Sequence, residues 1–239
     1  MPPGGWFREG DLKGSLIGLL VAGLLTVASA NAQTFLGFRL LDLDGSFVKW
    51  SKVDGGRVSV SYAFVDRPVQ FLDARNCEAL IPIDDLLHKS NVSQTAFRNE
   101  VRAAFDMWER VANIAFREAA EAGTAEILIG AQRNPEGRAF ADVRYRPGTG
   151  TFREIERSLI CLNPTKPWKV GFDGNLDIYD LRYTVAHEIG HAIGLDHPEP
   201  SSQLMSHKYQ EKFRTPQAGD VDGVTRIYGN RSASASSTR

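Results

Sequence analysis

One stretch of eleven residues constrains this chain more than any other: His187-Glu188-Ile189-Gly190-His191-Ala192-Ile193-Gly194-Leu195-Asp196-His197. Two histidines four apart lie on one face of a helix, about one turn from each other. Imidazoles so placed can hold a single metal ion. Glu188 adjoins the first of them, where a carboxylate can act as general base on an activated water. A third histidine six residues further on cannot reach the same ion along a continuing helix. Gly194 tolerates backbone angles closed to other residues, so the chain can turn back and bring in His197. Three neutral imidazoles, His187, His191 and His197, leave a fourth coordination position open, the pattern of a catalytic zinc rather than a structural one. Three of the chain's five histidines fall in this window, which disfavours a helix with scattered surface histidines.

The surrounding sequence reads as mixed α and β. Val58–Val65 alternates apolar with small or polar residues and predicts a first strand, and the stretch from Pro68 to Pro82 reads as irregular. Phe97, Val101, Phe105, Trp108 and Ala112 recur at three- and four-residue steps and predict an amphipathic helix over about Thr95–Glu118, with Ser93 as N-cap and Gly123 as the stop. Strands are expected at Glu126–Gly130, Ala139–Tyr145 and Ser158–Leu162, the second of them at a sheet edge. A helix over about Tyr179–Ile193 carries the histidines, and a last helix is expected from Thr215-Pro216 to Tyr228-Gly229. The order predicts an α+β fold: a mixed twisted sheet, two long helices, and a small C-terminal subdomain carrying the last helix.

At 239 residues the chain is long enough for one domain with appendages, and its formal net charge of -1 gives no electrostatic case for nucleic acid. Arg8 and Lys13 precede the apolar run Leu16–Leu25 and the small residues Ala28–Ala32, the order of a secretory signal peptide over residues 1–32. The run is shorter than the roughly 20 residues of a spanning helix, so no stable membrane insertion is expected once it is cleaved. The expected domain plan is then a leader, a single domain over 33–229 and a disordered tail over 230–239, in a protein that is secreted or periplasmic. Cys77 and Cys161 are the two cysteines. They are a candidate disulfide in an oxidising compartment, with two buried thiols as the competing reading.

The segment His187–His197 resembles the zinc signature of the metzincin peptidases, and its Asp196-His197 pair resembles that of the matrixins in particular. Ser202–Ser206 resembles the Met-turn of that group, which implies that Met205 lies beneath the zinc ligands. Tyr209 matches a tyrosine often found there. Ala104–Trp108, Ile114–Phe116, Ala125–Ile129 and Thr215–Gly229 are similar to further stretches of the same domain, and the resemblance runs loosely over Val58–Gly229. It implies a zinc-dependent endopeptidase, and the expected leader with a compact single domain gives the chain a bacterial look. One zinc ion would sit on His187, His191 and His197, with Glu188 as base. A protein or peptide substrate would lie extended along Ala139–Tyr145, the side-chain pockets lying beside His197 and in the loop Met205–Arg214. A monomer is expected.

Calcium sites are common nearby in the family, and Asp173, Asn175 and Asp177 are candidate ligands here, against a reading as a polar loop ending in an Asp N-cap. The departures are as informative. Too few histidines, only His88 and His207, remain for a second, structural zinc. Cys77 sits in no cysteine-switch context, and His207 reads as a solvated loop histidine. Two other functions stay open at this point: an inactive zinc-bound peptide-recognition module, and a hydrolase of a non-protein amide.

Overall fold

A computed structural model describes residues 37–199 and 202–231. The expected leader and residues 232–239 of the expected tail lie outside them. Short strands open the described chain: β1 (Arg39–Leu40), β2 (Asp42–Leu43), β3 (Ser46–Lys49) and β4 (Val53–Asp54), before the longer β5 (Arg57–Phe64). Asp44-Gly45 joins β2 to β3 with both residues at positive φ, a turn whose twist matches that of the strands it connects. The stretch expected to be irregular holds two short paired strands, β6 (Val69–Gln70) and β7 (Ala79–Ile81), and α1 (Asp84–Ser90) follows.

The long amphipathic helix α2 spans Gln94–Glu109. Ser93 caps it, its hydroxyl accepting the Ala96 N–H at 3.1 Å. Phe97, Val101, Phe105 and Trp108 are fully buried, as the apolar stripe requires. The helix stops well short of the expected Glu118, because Ile114–Glu118 forms a strand, β8, pairing in parallel with β5. Ile114 and Phe116 alternate inward there, so sheet pairing overrides the local helical preference.

The remaining elements are β9 (Ile127–Gln132), β10 (Ala139–Tyr145), β11 (Phe152–Leu162), β12 (Trp168–Lys169), β13 (Tyr179–Asp180), α3 (Leu181–Ala192), β14 (Leu195–Asp196) and α4 (Ala218–Tyr228). The main sheet runs β8–β5–β9–β11–β10, parallel except for β10, which is antiparallel to β11 and forms the edge. The fold is α+β, with α2 and α3 packed together beneath this sheet and cross-tied by Trp108 Nε1 donating to Ala186 O at 2.9 Å. Cys77 and Cys161 form a disulfide, with Cα atoms 5.9 Å apart.

α4 begins at Ala218 rather than at Thr215-Pro216, because Asp220 reaches back to the Gln217 N–H at 2.7 Å and closes a capping box there. Asn230, the first residue of the expected tail, forms an antiparallel bridge with Ala112.

Candidate metal centre

The helix that carries the histidines is fixed at both ends by contacts from distant segments. At its start, fully buried Asp180 accepts the Tyr183 N–H at 2.9 Å as N-cap. The same carboxylate accepts the Gly171 N–H at 2.6 Å and pairs with Arg214 at 2.8 Å. Two residues on, Arg182 forks onto Glu100 of α2 at 2.8 and 2.9 Å. At the other end, carbonyls that a helix terminus leaves without partners are taken up by side chains. Ala192 O accepts from Trp50 Nε1 at 3.0 Å and Ser158 Oγ at 3.1 Å, and Ile193 O accepts from the Tyr228 hydroxyl at 2.8 Å.

His187 and His191 project from one face of this helix, and Gly194, at a φ of +102°, turns the chain so that His197 returns from β14. His197 Nε2 lies 3.0 Å from His187 Nε2 and 3.1 Å from His191 Nε2. Zinc–nitrogen bonds of about 2.0–2.1 Å at tetrahedral angles put ligand nitrogens roughly 3.3 Å apart, so the donor set fits one such ion. His187 Nδ1 faces Leu204 O and His191 Nδ1 faces Leu195 O, each at 2.8 Å. A carbonyl accepts only from N–H, so both rings carry the proton on Nδ1 and turn the Nε2 lone pair to the centre. Burial lowers all three histidines, His191 to about 4 with His197 as the second cause, so the rings are neutral and ready to ligate. Among the described residues this is the one cluster of His, Cys, Asp and Glu with the reach to hold a metal.

Glu188 is 6% exposed, and burial pushes its carboxyl up to about 8 against the pull of the Ala141 N–H. Ala141 belongs to the edge strand β10, so the carboxyl stands between the histidines and that edge. A cleft of about 410 Å³ opens over them, walled by Ala139–Ala141 on one side and by Tyr179, Tyr183 and Tyr209 on another. Met205 lies under the cluster. A Cβ built on Gly190, between the two helical histidines, would sit 2.1 Å from Met205 Sδ, so the sulfur approaches the helix as only glycine allows. Asp220 holds this turn, accepting the Leu204 and Met205 N–H groups at 2.9 and 3.1 Å.

A sequence profile of the Matrixin family matches residues 85–229. The chain belongs to the matrixins. The chain is 30% identical over 151 residues to matrix metalloproteinase-16 of Rattus norvegicus, covering 55% of this chain and 24% of that protein. Over 155 residues it is 28% identical to the hatching enzyme of Paracentrotus lividus, covering 62% and 25%. Human matrilysin is 28% identical over 151 residues, covering 56% and 51%. The chain therefore spans only about a quarter to a half of the length of these curated relatives. The family is one of zinc metalloendopeptidases, and the three-histidine cluster agrees with it.

Within this matrixin, the remaining sequence candidates separate clearly. The Tyr209 hydroxyl donates to Glu211 at 2.7 Å and accepts the Asp180 N–H at 2.8 Å, while its ring stacks on Tyr179 at 4.0 Å. It braces the cleft wall. The His207 ring, 6.3 Å from that of His197, is half exposed and lies outside the convergent nitrogens.

Asp173, Asn175 and Asp177 follow one another in side-chain-to-main-chain turns, Asn175 N–H on Asp173 Oδ1 and Asp177 N–H on Asn175 Oδ1. Their cluster closes on a lysine. Lys169 Nζ bonds Asp173, donates to Asn175 O at 2.7 Å and pairs with Glu211 at 2.5 Å. Lys169 and Glu211 were not singled out from sequence, where a lone lysine four residues before an aspartate carries no signal of a cation position.

Proposed function

We propose that this matrixin is a secreted or periplasmic, monomeric zinc endopeptidase that acts on protein or peptide substrates bound in extended form. His187, His191 and His197 hold one zinc ion. The observation that carries the reading is the convergence of three Nε2 lone pairs, two of them oriented by main-chain carbonyls, beside a buried carboxyl at a sheet edge. Zinc in this position supplies Lewis acidity, acidifying water and polarising a carbonyl. Glu188 takes the proton of the attacking water and returns it to the leaving amine, a double task suited to a carboxyl raised toward neutrality. Among the described residues β10 has no strand partner on its outer edge, and an extended peptide added there gains affinity without demanding a particular sequence. Tyr179, Tyr183 and Tyr209 shape the pocket beside the histidines. A calcium ion at Asp173, Asn175 and Asp177 would have to displace the Lys169 ammonium. No helix among the described residues is long and apolar enough to cross a membrane.

The test is cleavage of a mixed quenched-peptide library by the chain from Gln33 onward, with and without a zinc chelator, beside Glu188→Ala. Chelator-sensitive cleavage that the variant loses while keeping its zinc supports the reading. A folded, zinc-loaded protein that cuts no peptide replaces it with a peptide-recognition module or a hydrolase of another amide.

A further inference from the structure

A peptide laid along β10 meets one side chain that the chemistry above does not use. Ala141 gives its N–H to the Glu188 carboxyl, and its carbonyl accepts from the carboxamide Nδ2 of Asn76 at 3.3 Å. Asn76 lines both the cleft over the histidines and the second groove that continues along β10 past Val143. It is the one side-chain amide lining either among the described residues.

Its main chain is fixed on three counts. The neighbouring Cys77 is bonded to Cys161, which lies opposite Phe140 in the β10–β11 register. The N–H groups of Arg75 and Asn76 both donate to the Asp142 carboxylate, at 2.6 and 3.1 Å, and Asp142 is itself buried on β10. The Asn76 side chain, by contrast, is exposed and held by a single long hydrogen bond. The rigid backbone fixes where this carboxamide stands at the rim of the cleft, and asparagine there supplies adaptable hydrogen bonding to a bound chain.

We propose that Asn76 is a substrate-binding residue whose carboxamide bonds the main chain of a peptide lying along β10, beside the bond to be cut. A peptide N–H that pairs with Ala141 O displaces Nδ2. The donor and acceptor of the carboxamide are then turned toward the next peptide group, whatever side chain that residue bears. Cys77, Cys161 and Asp142 are the positioning residues. The proposal rests on reading this cleft as a peptide site, so its test separates binding from turnover.

Asn76→Ala is made in the active protein and in the Glu188→Ala background, with zinc content and Tm checked against each parent. In the active protein, KM for a long quenched peptide is expected to rise about five- to tenfold, the range of one neutral hydrogen bond. kcat should stay within about twofold, because the contact persists from ground state to transition state. In the Glu188→Ala background, fluorescence anisotropy of a labelled peptide should show the same loss of affinity without any cleavage. When the peptide is shortened stepwise from each end in turn, the difference between parent and variant should vanish in one series only. An unchanged KM and affinity, or tighter binding that marks Asn76 as an obstacle, overturns the proposal. Absence of cleavage by the parent, with the anisotropy difference intact, counts against the endopeptidase reading and leaves the Asn76 contact standing.

Discussion

Gly194→Ala tests the pivot that returns His197 to the other two histidines. Two separate penalties meet at this residue. Its φ of +102° is one that side-chain-bearing residues rarely adopt, and holding alanine there costs about 1–3 kcal/mol. The added Cβ would also lie 2.3 Å from Val48 O. That oxygen is main chain in β3 and Val48 is fully buried, so it cannot swing aside as a flexible side chain would. Overpacking of this kind adds about 1–3 kcal/mol. The sum is about 2–6 kcal/mol, and a domain of this size loses roughly 2–4 °C of Tm per kcal/mol. Differential scanning fluorimetry of zinc-free protein should therefore show a drop of roughly 10 °C. Competition with a chromophoric chelator should show zinc held more weakly by about tenfold or more, because the lead-in to His197 has moved. A variant within about 2 °C of the parent, with unchanged zinc affinity, would refute the claim that Gly194 sets the third histidine.

Asp220→Ala should cost about 3–5 kcal/mol by urea denaturation, since it strips the acceptor from the Leu204, Met205 and Gln217 N–H groups at once. A loss under about 1 kcal/mol would show that the turn holds itself. Lys169→Met should lower Tm and create a rise in Tm with millimolar calcium that the parent lacks, because it leaves Asp173 and Glu211 without their cation; equal calcium responses in the two proteins would sink this. Burial raises the Glu211 carboxyl, but Lys169, the Tyr209 hydroxyl and the Gly174 N–H outweigh it and hold it below its ordinary value. A depressed carboxylate stabilises above its unfolded value and loses that contribution as pH falls through the folded one. The protection of the Gly174 amide, its exchange measured against the intrinsic rate at each pH, should accordingly stay constant near neutrality and fall only below about pH 4.5. Loss of protection between pH 7 and 5 would assign the loop's anchorage to another group.

What the sequence made legible follows from how local each signal is. The histidine spacings of four and six and the intervening Gly194 are set by helix geometry, so the metal cluster needed no tertiary knowledge. Met205, by contrast, was placed by family resemblance, and its contact at Gly190 is seen only in three dimensions. The α2 stripe was read correctly as far as Trp108, but Ile114–Glu118 was given to the helix because its parallel partner, β5, lies far away in the chain. The opening hairpins β2–β3 and β4–β5 turn at Asp44-Gly45 and Gly55-Gly56, pairs of residues that accept positive φ and are the local signal for them. Nothing local points to Trp50, Ser158 and Tyr228 closing the end of the histidine helix, or to Asn76 reaching Ala141. The Cys77–Cys161 pairing joins residues 84 apart in sequence and was only one of two open readings.

A sheet of only two short strands joins the beginning of the described chain to the third histidine. Arg39 and Leu40 pair with Asp196 and Leu195, the Arg39 guanidinium meets the Asp196 carboxylate at 3.0 Å, and the Leu41 N–H closes on Gly194 O at 2.8 Å. A processing cut just before Phe38 keeps all of this. A cut just after Leu41 removes it while leaving every residue of the histidine helix in place. An amino terminus placed on one side or the other of this strand would therefore change how rigidly the last imidazole is presented. Two preparations trimmed a few residues apart would share one metal motif and still differ in how tightly they keep the metal.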